Sequence, residues 1–137
     1  MRFALWLFLV LSFSVEAADK WSKYYSLVNA DIKKIETLPS KDLGLQVRLF
    51  ELYGEKLSLL IEKENEYKIK YLETGKSNRL NKVISLQRNT LAKLESIARK
   101  IERQTNKPKV ITKINYFRGL NYYLIKDYKK FYFHIKN

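Results

Sequence analysis

From Asn78 to Gln104 the apolar positions return in a four-three alternation: Leu80, Ile84, Gln87, Leu91, Leu94, Ala98 and Ile101, flanked by Val83, Thr90 and Ile97. Seven residues make about two turns of an α-helix, so this spacing lays one stripe along a helix face. It is the cleanest heptad in the chain and holds one polar member, Gln87. A short coiled coil and a helix hairpin in a small bundle leave the same trace. A second stripe, Trp21, Tyr25, Val28, Ile32 and Ile35, also steps by four and three. Between the two, Leu45, Leu49, Leu52, Leu59 and Leu60 form a row that Val47, Phe50, Leu57 and Ile61 widen. An apolar surface of that width predicts neighbours on two sides. Further on, Glu62, Glu64 and Glu66 interleave with Lys63, Lys68 and Lys70, the pattern of a solvated face.

Breakers punctuate these stripes. Pro39 ends the first helix, because the residue before a proline avoids helical backbone angles. Ser40 offers a hydroxyl to cap the next helix, and Asp42 favours its positive end. Gly75, within Thr74-Gly75-Lys76-Ser77-Asn78, suits the left-handed position after a helix, and Ser77 or Asn78 caps the helix that follows. Gly54 interrupts the second helix at a cost of ~1 kcal/mol relative to alanine, which points to a close crossing or a bend. Thr105-Asn106-Lys107-Pro108 closes the third helix. The expected helices span about 21–38, 41–72, 78–104, 110–125 and 127–136. Residues 18–137 therefore read as one all-α domain of antiparallel helical hairpins.

The N-terminus reads differently. Met1-Arg2 brings one positive charge, Phe3–Val15 is an apolar run broken by two serines, and Val15-Glu16-Ala17 ends in a small residue. That is the layout of a secretory signal peptide over residues 1–17, with the mature chain starting near Ala18 or Asp19. The run falls short of the ~20 residues of a comfortable membrane span, which disfavours the alternative of an uncleaved anchor. The expected location is periplasmic or secreted. No cysteine is present, so there is neither a lipid-attachment thiol at the cleavage site nor any disulfide, and packing alone must hold the domain. Four glycines and two prolines are too few for a sandwich or barrel with many tight turns.

Charge divides the chain in two. Ten basic and ten acidic residues balance from Asp19 to Gly75, whereas Lys76–Asn137 carries sixteen basic residues against Glu95, Glu102 and Asp127. The formal charge of +13 thus sits in the second half. Arg99, Lys100, Arg103, Lys107, Lys109 and Lys113 form a candidate anion surface, for which an exported protein would find acidic lipid or a cell-wall polymer. Export argues against nucleic acid as partner. Twenty of the twenty-seven basic residues are lysine, a bias that an AT-rich genome also produces.

No catalytic constellation assembles, and no cofactor or metal is expected. His134 is the only histidine, which excludes a multi-histidine metal site or a Cys–His pair. Glu51/Glu55 and Glu62/Glu66 are routine spacings on solvated helices. Thr74-Gly75-Lys76-Ser77 has the last letters of a phosphate loop but lacks the earlier glycine and the preceding strand.

The stretch Gly119-Leu120-Asn121-Tyr122-Tyr123-Leu124-Ile125-Lys126-Asp127-Tyr128 resembles the middle of a tetratricopeptide repeat, a helix–turn–helix of ~34 residues. The resemblance implies that Gly119 lets paired helices approach, that Tyr122 and Tyr123 sit at their packing surface, and that Asp127 caps the second helix with Tyr128 locking it. It also implies the start of a small α-solenoid whose grooves hold another protein. Arg118 and Asn115 stand where the repeat places a large apolar residue and an aromatic, and Phe131 where it places a small one. One repeat length back, Ser85 and Arg88 show no second copy. The sequence-level expectation is an exported, non-enzymatic scaffold for a protein partner, the alternative being electrostatic binding through residues 76–137.

Overall fold

A computed structural model describes residues 20–124, and these are helical with no strand. Helix α1 covers residues 20–36, α2 Leu43–Thr74, α3 Asn78–Gln104 and α4 Pro108–Leu124. The expected signal peptide at 1–17 and the expected helix at 127–136 lie outside the described residues.

Local chemistry sets the boundaries. The expected Ser40 cap gives way to Asp42: its carboxylate accepts from the Leu45 amide at 2.8 Å, and the helix starts at Leu43. Asp42 lies immediately before the helix, where a short acceptor reaches an unpaired amide and meets the helix dipole. At the other end Gly75 takes φ 70°, and its amide returns to the Tyr71 carbonyl at 2.8 Å. That left-handed turn reverses the chain into α3. Helix α4 starts at Pro108 and not at Val110, because a proline at the first helical position loses no hydrogen bond the helix would have used.

The hairpin α2–α3 is the centre of the molecule. Leu57, Leu94, Ala98 and Ile101 are wholly excluded from solvent, and Phe50, Leu52 and Leu60 nearly so. The seam of α3 is rotated from the stripe read in sequence. Val83, Gln87, Thr90, Leu94, Ile97 and Ile101 are buried, while Leu80, Ile84 and Leu91 are only half-buried. Both rows obey four-three spacing; the neighbours on either side decide which lies at the centre. The polar members are answered. Gln87 Nε2 donates to the Leu60 carbonyl at 3.2 Å and to Glu64 Oε2 at 3.1 Å, and Thr90 Oγ1 to the Leu86 carbonyl at 2.7 Å.

Helix α1 lies along α2 through Val28 and Ile32. Trp21 Nε1 donates to the Leu59 carbonyl at 3.1 Å, and its ring stacks on Tyr25 with centroids 4.8 Å apart. Lys63, buried on α2, places its ammonium 4.7 Å from the Trp21 ring and pairs with Glu66 at 2.8 Å. That hydrogen bond from Lys63 is the main reason the Glu66 carboxyl lies below its ordinary pKa. At the other end of α1 the Tyr53 hydroxyl donates to Glu36, and burial, reinforced by that carboxylate, pushes the phenol pKa well above its usual value.

Leu94→Ala should cost about 2–5 kcal/mol, because it opens a cavity at a fully excluded position, whereas Ser96→Ala on the exposed face should stay within about 0.5 kcal/mol. Urea unfolding followed by circular dichroism checks both; equal midpoints for the two variants would contradict the packing described.

Candidate functional site

Helices α2 and α4 lie side by side over a groove of about 340 Å³. Phe50, Gly54 and Ser58 of α2 line one wall and Phe117, Leu120 and Asn121 of α4 the other. Glu51 and Glu55 stand on its lip. Glu51 pairs with Lys113 of α4 at 2.9 Å, and Glu55 accepts from the Tyr24 hydroxyl at 3.3 Å. A Cβ added at Gly54 would meet nothing within 4 Å, so this glycine serves no close crossing among the described residues and leaves the groove floor open. Tyr116 and Tyr123 are exposed on α4, as is Phe117 at the groove.

What fixes the α4 wall is Arg118, the residue that departs from the repeat pattern. Its guanidinium donates through Nε and Nη2 to the two carboxylate oxygens of Glu95, at 3.0 and 2.8 Å, and through Nη1 to Glu102. A fourth, weaker bond runs from Nη1 to Asn115 Oδ1 at 3.4 Å. The Arg118 and Glu95 side chains are largely shielded from solvent. Burial opposes the charge on Arg118, but the hydrogen bonds and charges of Glu95 and Glu102 outweigh it and hold its pKa above the ordinary value. The signal was present in sequence. Glu95 and Glu102 are seven residues apart, hence on one face of α3, and they are two of only three acids in a strongly basic half.

The other expected site residues separate. Gly119 and Tyr122 are buried in α4, and Tyr123 is about half exposed. Asp127 and Tyr128 lie outside the described residues. Of the candidate anion surface, Arg99, Lys100 and Arg103 gather on the outer face of α3 around Ala92 and Ser96, all exposed. Lys107 sits in the α3–α4 turn and Lys109 in the first turn of α4, while Lys113 is drawn to the groove by Glu51. The six therefore do not form one patch. Among the described residues no three carboxylate, thiol or imidazole groups gather where a metal ion could be held, and His134 is not among those residues. No described helix is long and apolar enough to cross a membrane.

Arg118→Met should destabilise the protein on the order of 3 kcal/mol, since it strands a shielded carboxylate, and Glu95→Gln in the same background should recover part of that loss. A double-mutant cycle by chemical denaturation measures the coupling; additive losses would show that the pair does not join α4 to α3.

No family model matches this chain, and the comparisons with curated proteins and with solved structures found no match.

Proposed function

We propose that this protein is a non-enzymatic helical scaffold, exported after removal of residues 1–17, whose α2–α4 groove holds a segment of another protein in the bacterial envelope. The observation that carries this reading is the open groove at Gly54. A mid-helix glycine costs ~1 kcal/mol against alanine, and among the described residues no packing neighbour uses the space it leaves. Phe50 and Phe117 on facing walls, with Glu51, Glu55 and Lys113 along the lip, suit an amphipathic segment lying between the helices. Arg118 holds that wall against α3, so the groove is formed in advance, which lowers the entropy lost on binding. The burial of Gly119 and Tyr122 supports a tetratricopeptide-like role for α4, with an α-solenoid starting there. A second reading, capture of an anionic envelope polymer or lipid, is favoured by Arg99, Lys100 and Arg103, which share one exposed face and make no ion pair among the described residues.

Gly54→Leu tests the first reading. Its side chain would enter the groove, while the helix should lose no stability and gain up to about 1 kcal/mol. A photo-crosslinking residue at Phe117 should capture a defined envelope protein in cells, and Gly54→Leu should abolish that capture with the melting temperature unchanged or raised. Equal capture from Phe117 in both backgrounds, or from a control position at Asn89, would refute the groove as the binding site.

A further inference from the structure

The first turn of α1 lies level with Lys63 of α2, and from Lys63 to Thr74, at the tip of the α2–α3 hairpin, α2 runs on for ~16 Å at ~1.5 Å per residue. Where α1 begins, the three helices enclose a pocket of about 270 Å³. Leu60 of α2 and Val83 and Leu86 of α3 give it aliphatic walls, and Trp21, Tyr25 and Tyr67 add three half-buried rings. Arg79 and Lys82, three residues apart on one face of α3, line it as well. Both are exposed, and neither makes an ion pair among the described residues. Lys63 is buried in the same lining, its ammonium 4.7 Å from the centroid of the Trp21 ring and 5.9 Å from that of Tyr67. Its partner Glu66 does not line the pocket. The lining thus holds three cations and no carboxylate, and it shares no residue with the α2–α4 groove.

We infer that this pocket binds a small aromatic carboxylate, its ring lodged among Leu60, Val83, Leu86 and the three aromatic side chains and its acid group held by Arg79 and Lys82. This does not depend on the groove. Apolar walls with a few convergent polar groups are the ordinary form of a small-molecule site, and such sites run from ~300 to ~1,000 Å³, so a pocket of this size limits the ligand to one or two rings. Aromatic side chains favour a flat body, which they meet edge-on or offset. The charge of the ligand follows from the lining: no carboxylate competes for the two cations, and a guanidinium grips a carboxylate through two parallel hydrogen bonds. Arg99, Lys100 and Arg103 offer a similar density of charge on the outer face of α3, but around Ala92 and Ser96 and without a ring in the lining. The apolar enclosure is what distinguishes the pocket and selects a ligand with an apolar body.

The test is calorimetric titration of the full chain with 2-naphthoate, against its neutral counterpart 2-naphthamide and the aliphatic cyclohexanecarboxylate. Naphthoate should bind with a dissociation constant on the order of 0.1 mM, and the other two about tenfold or more weaker. Arg79→Gln with Lys82→Gln should reduce naphthoate binding to the level of the amide. Glutamine keeps good helix propensity, and both positions lie near the positive end of α3, so the circular-dichroism melt should not fall. Arg99→Gln with Lys100→Gln removes the same charge elsewhere on α3 and should leave binding unchanged. In nuclear magnetic resonance spectra of the same titration, the amides of Tyr67, Lys82 and Val83 should shift most. No binding of naphthoate at millimolar concentration, equal binding of the amide or of the aliphatic acid, or the same loss from both pairs of substitutions would each overturn the inference. So would shifts centred on Phe117, which would place the probe in the groove instead.

Discussion

Two neighbouring carbonyls of α2, those of Leu59 and Leu60, accept hydrogen bonds from opposite sides, one from Trp21 of α1 and the other from Gln87 of α3. Apolar burial supplies most of the attraction between these helices, but it is non-directional and would tolerate sliding by a turn. A donor aimed at one carbonyl tolerates no such slide, since a shielded amide or indole N–H left without a partner costs ~1–3 kcal/mol. The two bonds therefore fix the heights of α1 and α3 on α2 together. That register leaves Ile69 and Leu72 beyond the level of Trp21 and sets the α3 carboxylates opposite α4.

The charge asymmetry takes on a different meaning once the ion pairs are placed. Glu95 and Glu102 both turn to Arg118, so the remaining outer surface of α3 is basic almost without relief. Acids in the neutral half are likewise committed: Glu64, Glu66 and Glu51 pair with lysines. The result is a molecule with a groove between α2 and α4 whose lip carries Glu51 and Glu55 beside Lys113, and a cationic outer face on α3. Each is a separate surface with its own chemistry, and fields of this kind steer oppositely charged partners over a Debye length of ~10 Å at 0.1 M salt.

Much of this architecture was legible from residue order. Periodicity placed the four described helices, and the wide apolar surface of α2 foretold neighbours on both sides, because burial follows side-chain type over long stretches. The finer features depended on tertiary neighbours. Leu80, Ile84 and Leu91 look as apolar as Leu94, yet Val83, Thr90 and Ile97 occupy the seam instead. Asp42 and Ser40 are both good caps, and only the path of the chain after Pro39 chose between them. Arg118 looked like a defect in a repeat because a motif records residue types and not the partners a charged group can find on the next helix. Gly54 suggested a close crossing or a bend; among the described residues no crossing uses it, and it leaves space.

Native-state hydrogen exchange measures the central claim most directly. If the paired bonds at Leu59 and Leu60 lock α2 between its neighbours, the amides of Phe50–Lys63 and Val83–Ile101 should exchange slowest and together, through global unfolding. Amides of α4 should exchange faster, and those of the tip fastest. Protection that is highest in α1 or α4, or separate opening of α2 and α3 at different free energies, would contradict it.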